Sequence, residues 1–298
     1  MIIANLIGGL GNQMFQYATS RALALDLDQA LRFSADGFRS YSLHQGLQLA
    51  SVFALDLPLA SRADLQRTVG RLLAPNLMRR LAARVGWPGL ASSRFVAEPS
   101  PRWWPELRQR CLRGAYLHGY WHSEHYFAHQ AEAIRADFRW REPLQGRNAD
   151  LARQILDAPR AISLHVRRGD YVANAKNQSI YASCPPSYYV AALERIAQRT
   201  GLPATAVFAF SDDPGWVMQE LAPHIPGLVL VDHNRAAASW QDMRLMSLCR
   251  HHIIANSSFS WWGAWLDGRA GAEVIAPAHW YANSFDDSDL VPSGWHRL

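Results

Sequence analysis

The sequence is poor in lysine: Lys176 is the only one in 298 residues, so the formal net charge of +5 rests almost entirely on arginine. Cysteine is scarce too. Cys111, Cys184 and Cys249 lie far apart without a CxxC spacing, which excludes a disulfide scaffold and a thiolate zinc or redox motif and leaves three reduced thiols. No apolar run reaches the roughly 18 to 20 residues that a membrane helix needs. The opening residues lack the basic, apolar and small-residue order of a secretory leader. The expectation is a cytoplasmic protein, with any membrane contact made peripherally from the inner face. Internal repeats and low-complexity tracts are absent as well. With 49% hydrophobic residues and 18% charged, burial can offset ordering entropy along most of the chain, which excludes disorder as a description of the whole.

What the chain does have is arginine and aromatic surface. A positive balance favours anionic partners, but the arginines are scattered and no helix-turn-helix, zinc-finger or RNP-like signature accompanies them. Nucleic acid is therefore set aside in favour of a phosphorylated small molecule. The 12 tryptophans would also suit a non-catalytic carbohydrate-binding module. A cluster of arginines amid leucines over residues 62–87, including Arg67, Arg71, Arg79, Arg80 and Arg84, reads as an amphipathic helix interrupted at Pro75. Its default is a solvated face; contact with anionic lipid is the sharper alternative.

The length suits two lobes better than one. Residues 2–7 read as a strand, broken by Gly8-Gly9-Leu10-Gly11, after which Met14, Phe15, Ala18, Ala22 and Leu25 fall at helical spacing. A short strand at 116–120 and a helix at 123–138 follow. The second half alternates regularly. Strands at 161–166, 206–210, 228–231, 252–255 and 273–276 are separated by helices at 187–198, 214–222, 240–249 and 260–268. Such alternation predicts an α/β fold with a parallel sheet, its ligand beyond the carboxyl ends of the strands. A polar, proline-flanked stretch at 143–159 marks the boundary, giving lobes 1–155 and 156–298.

Four segments carry candidate chemistry. Gly8-Gly9-Leu10-Gly11-Asn12-Gln13 turns a strand into a helix, where backbone amides can approach an anion. It fails as a dinucleotide fingerprint, since Met14 stands at the third glycine position, and this disfavours a nucleotide-dependent oxidoreductase. His165-Val166-Arg167-Arg168-Gly169-Asp170 ends the best strand. There His165 and Arg167 share a face, and guanidiniums grip phosphate with paired charge-assisted hydrogen bonds. Phe210-Ser211-Asp212-Asp213-Pro214 offers carboxylates that can read the donors of guanine or cap the next helix. Asn256-Ser257-Ser258-Phe259-Ser260 opens a helix with small hydroxyls suited to a diphosphate, ahead of Trp261, Trp262 and Trp265, which read as core.

In this order, the GGLGNQMFQYA opening, the HVRRGDY segment, the FSDD turn and the NSSFSWWGAW segment resemble the bacterial α-1,2-fucosyltransferases of glycosyltransferase family 11. A looser element runs from Gly119 to Phe127, and the resemblance covers residues 2 to about 281. It implies a GT-B-like architecture, two Rossmann-like lobes with parallel sheets facing a central cleft. It implies inverting, metal-independent transfer of fucose from GDP-fucose to a galactose-terminated glycan, in some cases lipid-linked, with no cofactor. Carried over by position, His165 and Arg167 contact the donor and Arg168 supports their loop. Asp212 faces guanine with Asp213 beside it, and Ser257, Ser258, Phe259 and Ser260 line the diphosphate. Gly9, Gly11 and Asn12 approach from the other lobe. Arg167, Arg168 and Asp170 are the catalytic candidates. Asp170, Glu124 and the nearby histidines qualify as the acceptor's base by chemical type alone.

Overall fold

The computed structural model describes residues 1–40, 45–70, 94–169, 179–180, 183–201, 206–282 and 285–298. It divides into two units, Met1–Glu142 with Ser288–Leu290 and Pro143–Asp287 with Val291–Leu298. Each is built on its own parallel sheet.

In the first unit, β1 (Ile2–Asn5) is buried along its whole length, as a central parallel strand requires. It pairs with β2 (Leu31–Ser34) on one side and β4 (Ala115–His118) on the other, with β3 (Phe95–Ala97) beyond, in the order β2-β1-β4-β3. The glycine turn then leads into α1 (Leu10–Asp26), which is buried almost all round. The basic helix expected over 62–87 is described only as α2 (Arg62–Val69). A Ser61/Asp64 capping box opens it, and Gly70, at φ +88°, ends it. Arg71, Arg79, Arg80 and Arg84 lie outside the described residues. The helix expected over 123–138 is instead two 3₁₀ turns, Glu124–Tyr126 and Ala128–Gln130, followed by α3 (Ala131–Asp137). Phe127 breaks it: its side chain is fully buried and its backbone, at φ −144°, leaves the helical region.

The second unit holds β5 (Ala161–Val166), β6 (Ala206–Ser211), β7 (Leu228–Val231), β8 (His251–Ile253), β9 (Val274–Ala276) and β10 (His296–Arg297), in the order β10-β9-β8-β5-β6-β7. Its longer helices are α4 (Gly146–Asp157), α5 (Pro186–Thr200), α6 (Trp240–Leu248) and α7 (Ser258–Trp265). The stretch expected to be a polar boundary thus carries α4. Only Leu151 and Ile155 supply an apolar stripe, too little to stand out from the polar residues around them. The helix expected over 214–222 breaks into the turn Pro214–Trp216, a π turn at Val217–Leu221 and a 3₁₀ turn at Ala222–His224. Pro223 lacks the N–H that would continue the ladder.

Alternation along β5 sorts its side chains. Ile162, Leu164 and Val166 join Val207, Ala209, Ile253 and Ile275 against Tyr188, Tyr189, Ala192 and Ile196 of α5. On the other parity, Ser163 Oγ lies 2.8 Å from His252 Nδ1, and His252 Nε2 lies 3.1 Å from Asp267 Oδ2. A serine, histidine and aspartate in this sequence have the composition of a hydrolase relay. Ser163 and His252 are buried and the Asp267 side chain is 1% exposed, so the trio is a strut joining β5 and β8 to the end of α7. The tryptophans expected as core are core: Trp261, Trp262 and Trp265 are buried and pack on one another. Gly263 lets α7 approach α6, since a Cβ there would stand 3.1 Å from the Cβ of Met246. Cys111, Cys184 and Cys249 are free thiols, and burial pushes Cys111 up to about 12 and Cys184 up to about 11. Among the described residues no helix is long and apolar enough to cross a membrane.

Candidate active site

In the second unit the chain runs from β5 to β6 to β7 on one side of β5, then returns to β8 on the other. Loops leaving the carboxyl ends of β5 and β8 therefore diverge, and ligands settle at such a switch point. Three of the four candidate segments meet around it.

Arg167 follows β5, and its Nη1 lies 3.0 Å from Asp212 Oδ2 at the end of β6, with the two side chains 29% and 27% exposed. This ion pair fixes the plane of the Arg167 guanidinium. The second oxygen, Asp212 Oδ1, accepts the main-chain N–H of Arg168 at 2.9 Å. Both carboxylate oxygens thus serve the β5 loop, and Asp212 positions Arg167. Gly169 makes this possible, since a Cβ there would lie 2.9 Å from Asp212 Oδ2. Asp213 does the capping: its Oδ1 accepts the N–H of Trp216 at 3.1 Å, while Oδ2 lies 3.3 Å from Arg168 Nε. The Arg168 guanidinium also sits 4.4 Å from the centroid of the Trp216 ring, a cation–π contact that braces it. The sequence left open which aspartate caps, and the geometry divides the work.

His165 is 6% exposed, and its Nδ1 has no hydrogen-bond partner among the described residues. Its ring centroid lies 5.8 Å from that of Phe259 on α7. Burial lowers its pKa to about 4; the nearby Asp212 opposes this and Arg167 reinforces it, so the imidazole is neutral near pH 7. Ser257 caps α7, its Oγ accepting the Phe259 N–H at 3.3 Å, and Ser258 and Phe259 are half-buried at the helix start. Ser260 departs from expectation. It is 0% exposed, and its hydroxyl turns back to the carbonyls of Ala255 and Ser257 at 3.4 and 3.3 Å, so it shapes the turn instead of lining a ligand. Asp170 lies outside the described residues. No group of three or more His, Cys, Asp or Glu among the described residues is arranged to hold a metal ion.

In the first unit the corresponding switch point falls between β1 and β4. Gly8 adopts φ +79°, and a Cβ on it would meet Asn12 Nδ2 at 2.5 Å, so this is the glycine the turn requires. Gly9 is the N-cap of α1, and Gly11, expected to approach the donor, is buried in the first turn of the helix. Asn12 Oδ1 lies 2.9 Å from His122 Nε2. Gln13, which the sequence placed in the candidate segment without a role of its own, and Gln16, which it did not single out, hold this edge together. Gln13 is 0% exposed; its amide donates to the carbonyls of Gly8 and Gly46 and accepts from the N–H of Gln48. Gln16 accepts the N–H of Ile7 at 2.9 Å and donates to the carbonyls of Ile7 and Gly119. Two amides three residues apart on the inner face of an apolar helix were the available signal.

The chain as a whole, residues 1–298, matches the family described as glycosyl transferase family 11. It is 31% identical over 309 residues to an α-1,2-colitosyltransferase of Escherichia coli, covering 100% of this chain and 99% of the relative. It is 27% identical over 269 residues to the galactoside α-(1,2)-fucosyltransferase 1 of Pan troglodytes, covering 88% of this chain and 64% of that longer protein. Among solved structures it is similar to NodZ of Bradyrhizobium, an α-1,6-fucosyltransferase whose crystal was soaked with GDP-fucose. The TM-score is 0.53 at 14% identity, over 89% of this chain and 91% of that one. That likeness shows the fold, α/β and GT-B-like, with one parallel sheet in each unit. With the match spanning every residue, the chain belongs to glycosyltransferase family 11.

Proposed function

We propose that the chain moves L-fucose from GDP-β-L-fucose to the 2-hydroxyl of a galactose in a glycan acceptor, with inversion at the anomeric carbon. The second unit holds the sugar nucleotide and the first shapes the acceptor side. The observation that carries this reading is the Arg167 guanidinium, fixed by Asp212 at the carboxyl end of β5, with His165 of the same strand against Phe259 at the serine-capped start of α7. Breaking the fucose C1–O bond loads negative charge onto the departing diphosphate. A preorganised cation that binds this group more tightly in the transition state lowers the barrier. Arginine holds its charge at any working pH and offers a fork matched to phosphate oxygens. The neutral His165 behind it can add a hydrogen bond without a competing charge. The Arg168 guanidinium, braced on Trp216 and Asp213, keeps the loop in place.

The full-length relative named for colitosyl transfer favours a second reading, in which the donor is GDP-colitose and the linkage is unchanged. The test is incubation with GDP-fucose, GDP-colitose and UDP- and ADP-sugars plus galactose-terminated acceptors, followed by mass and linkage analysis. The expected result is GDP release from GDP-fucose with a new α-1,2-linked deoxyhexose. Turnover of GDP-colitose alone would replace the sugar, and absence of transfer from every GDP-sugar would sink the proposal.

A further inference from the structure

The turn after β4 is built at some cost. Gly119 has no room for a side chain, since a Cβ there would lie 2.4 Å from the Cβ of Glu98. Glu98 in turn accepts the main-chain N–H groups of Tyr120 at 2.7 Å and Trp121 at 2.8 Å. Trp121, a bulky residue, sits at φ +59°, a conformation that persists only where the surroundings impose it. Its indole is 1% exposed and packs edge-on against Tyr126, which anchors the strained residue in the core. What this arrangement presents is the residue before it: Tyr120 is 42% exposed at the carboxyl edge of the sheet. Its ring stacks on His122 with centroids 5.2 Å apart and planes inclined by 24°. Phe15 also packs edge-on against His122, centroids 5.0 Å apart.

Strained backbone of this kind collects where a side chain has to be aimed, and an exposed aromatic ring fixed at a switch point is suited to an apolar sugar face. We propose that Tyr120 and His122 form the platform on which the pyranose ring of the acceptor rests, with Asn12 and Glu98 as its positioning residues. The inference rests on the glycosyl-transfer reading and names the acceptor subsite within it. The ring of Tyr120 covers the apolar face of a galactose, a surface that only an aromatic side chain matches at low entropic cost. Asn12 Oδ1 takes the Nε2 proton of His122, which leaves Nδ1 as the acceptor of the ring, available to a sugar hydroxyl. Burial keeps that imidazole neutral, with its pKa lowered to about 4, so the lone pair persists at neutral pH.

The experiment compares Tyr120→Ala, Tyr120→Phe and His122→Phe with the parent in steady-state kinetics against donor and acceptor separately. Saturation-transfer NMR of a galactose-terminated oligosaccharide is recorded alongside in the presence of GDP. Tyr120→Ala is expected to raise the acceptor KM about tenfold while the donor KM stays within about twofold, and Tyr120→Phe to restore the parent value. His122→Phe keeps the stack but removes the hydrogen-bond acceptor, so it lowers kcat/KM for the acceptor without weakening the donor. The galactose ring protons should lose their saturation signal in Tyr120→Ala. An unchanged acceptor KM in Tyr120→Ala, or equal rises in both KM values, would overturn the platform. A parent inactive with every GDP-sugar would instead remove the transfer reading. The NMR signal would still decide whether Tyr120 contacts a galactoside.

Discussion

The carboxyl edges of the two sheets occupy the same topological position and are furnished differently. In the second unit the edge is charged: Arg167 with Asp212 and Arg168 with Asp213 alternate in sign within hydrogen-bonding reach. In the first it is neutral, assembled from Asn12, His122 and Tyr120 over the amides of Gln13 and Gln16. Glu98, just beyond β3, accepts from backbone N–H groups. The difference teaches that one α/β scaffold supplies a place, and side-chain chemistry decides what is held there. A diphosphate needs fixed positive charge. A sugar needs flat apolar surface and hydroxyl partners.

The comparison breaks most visibly at Arg167. Arg167→Ala is expected to lower kcat by about 10² to 10³-fold, through loss of charge stabilisation on the leaving group, with an essentially unchanged circular dichroism spectrum. Activity within tenfold of the parent would show that the charged edge is not the reacting one. Gly169→Ala comes next, because its Cβ would press on Asp212 Oδ2 and tilt the guanidinium. A loss of roughly tenfold to hundredfold in kcat/KM should accompany a small change in melting temperature. The neutral edge is sharpened by Gln16→Leu, which leaves the Ile7 N–H and the carbonyls of Ile7 and Gly119 without their amide partner. Denaturant unfolding should report a loss of about 2 to 4 kcal/mol.

The smallest effect concerns Asp242 on α6, whose Oδ1 accepts from Asn234 at 2.7 Å. Burial lifts its pKa from 3.8 to about 7. Because the folded value exceeds the unfolded one, the native state binds this proton more tightly. The contribution is fully present below pH 3.8 and is lost as pH rises to about 7. Asp242→Asn removes that slope, and above about pH 7 the variant should melt a few degrees higher than the parent, measured by calorimetry across about pH 5 to 8. Parallel melting curves would place the carboxyl in the ordinary range.

Much of this was legible in the residues. Ala161–Val166 and Ser258–Trp265 are dense in apolar side chains, so burial left them no other place, and the arginine and serine loops had to follow them. What escaped was short or mixed. β2 has four residues and β3 three, and their apolar content is too brief to exceed background. α4 buries only two apolar side chains, Leu151 and Ile155. At the site, residue type pointed to Arg167 and Ser257, but it could not say that Ser260 turns inward or that Asp212 pairs with Arg167.

By itself the sequence determined which groups were available for chemistry: with a single lysine, the cations on offer are almost all arginine, and glycine-broken strand ends had to be loops. Tertiary structure alone decided which of those groups are spent on one another. Hydrogen bonds such as Asp212 to the Arg168 amide, Gln16 to Gly119, and Glu98 to Tyr120 and Trp121 join residues 22 to 103 positions apart. Such pairings are fixed by strand order and register, which no local pattern encodes.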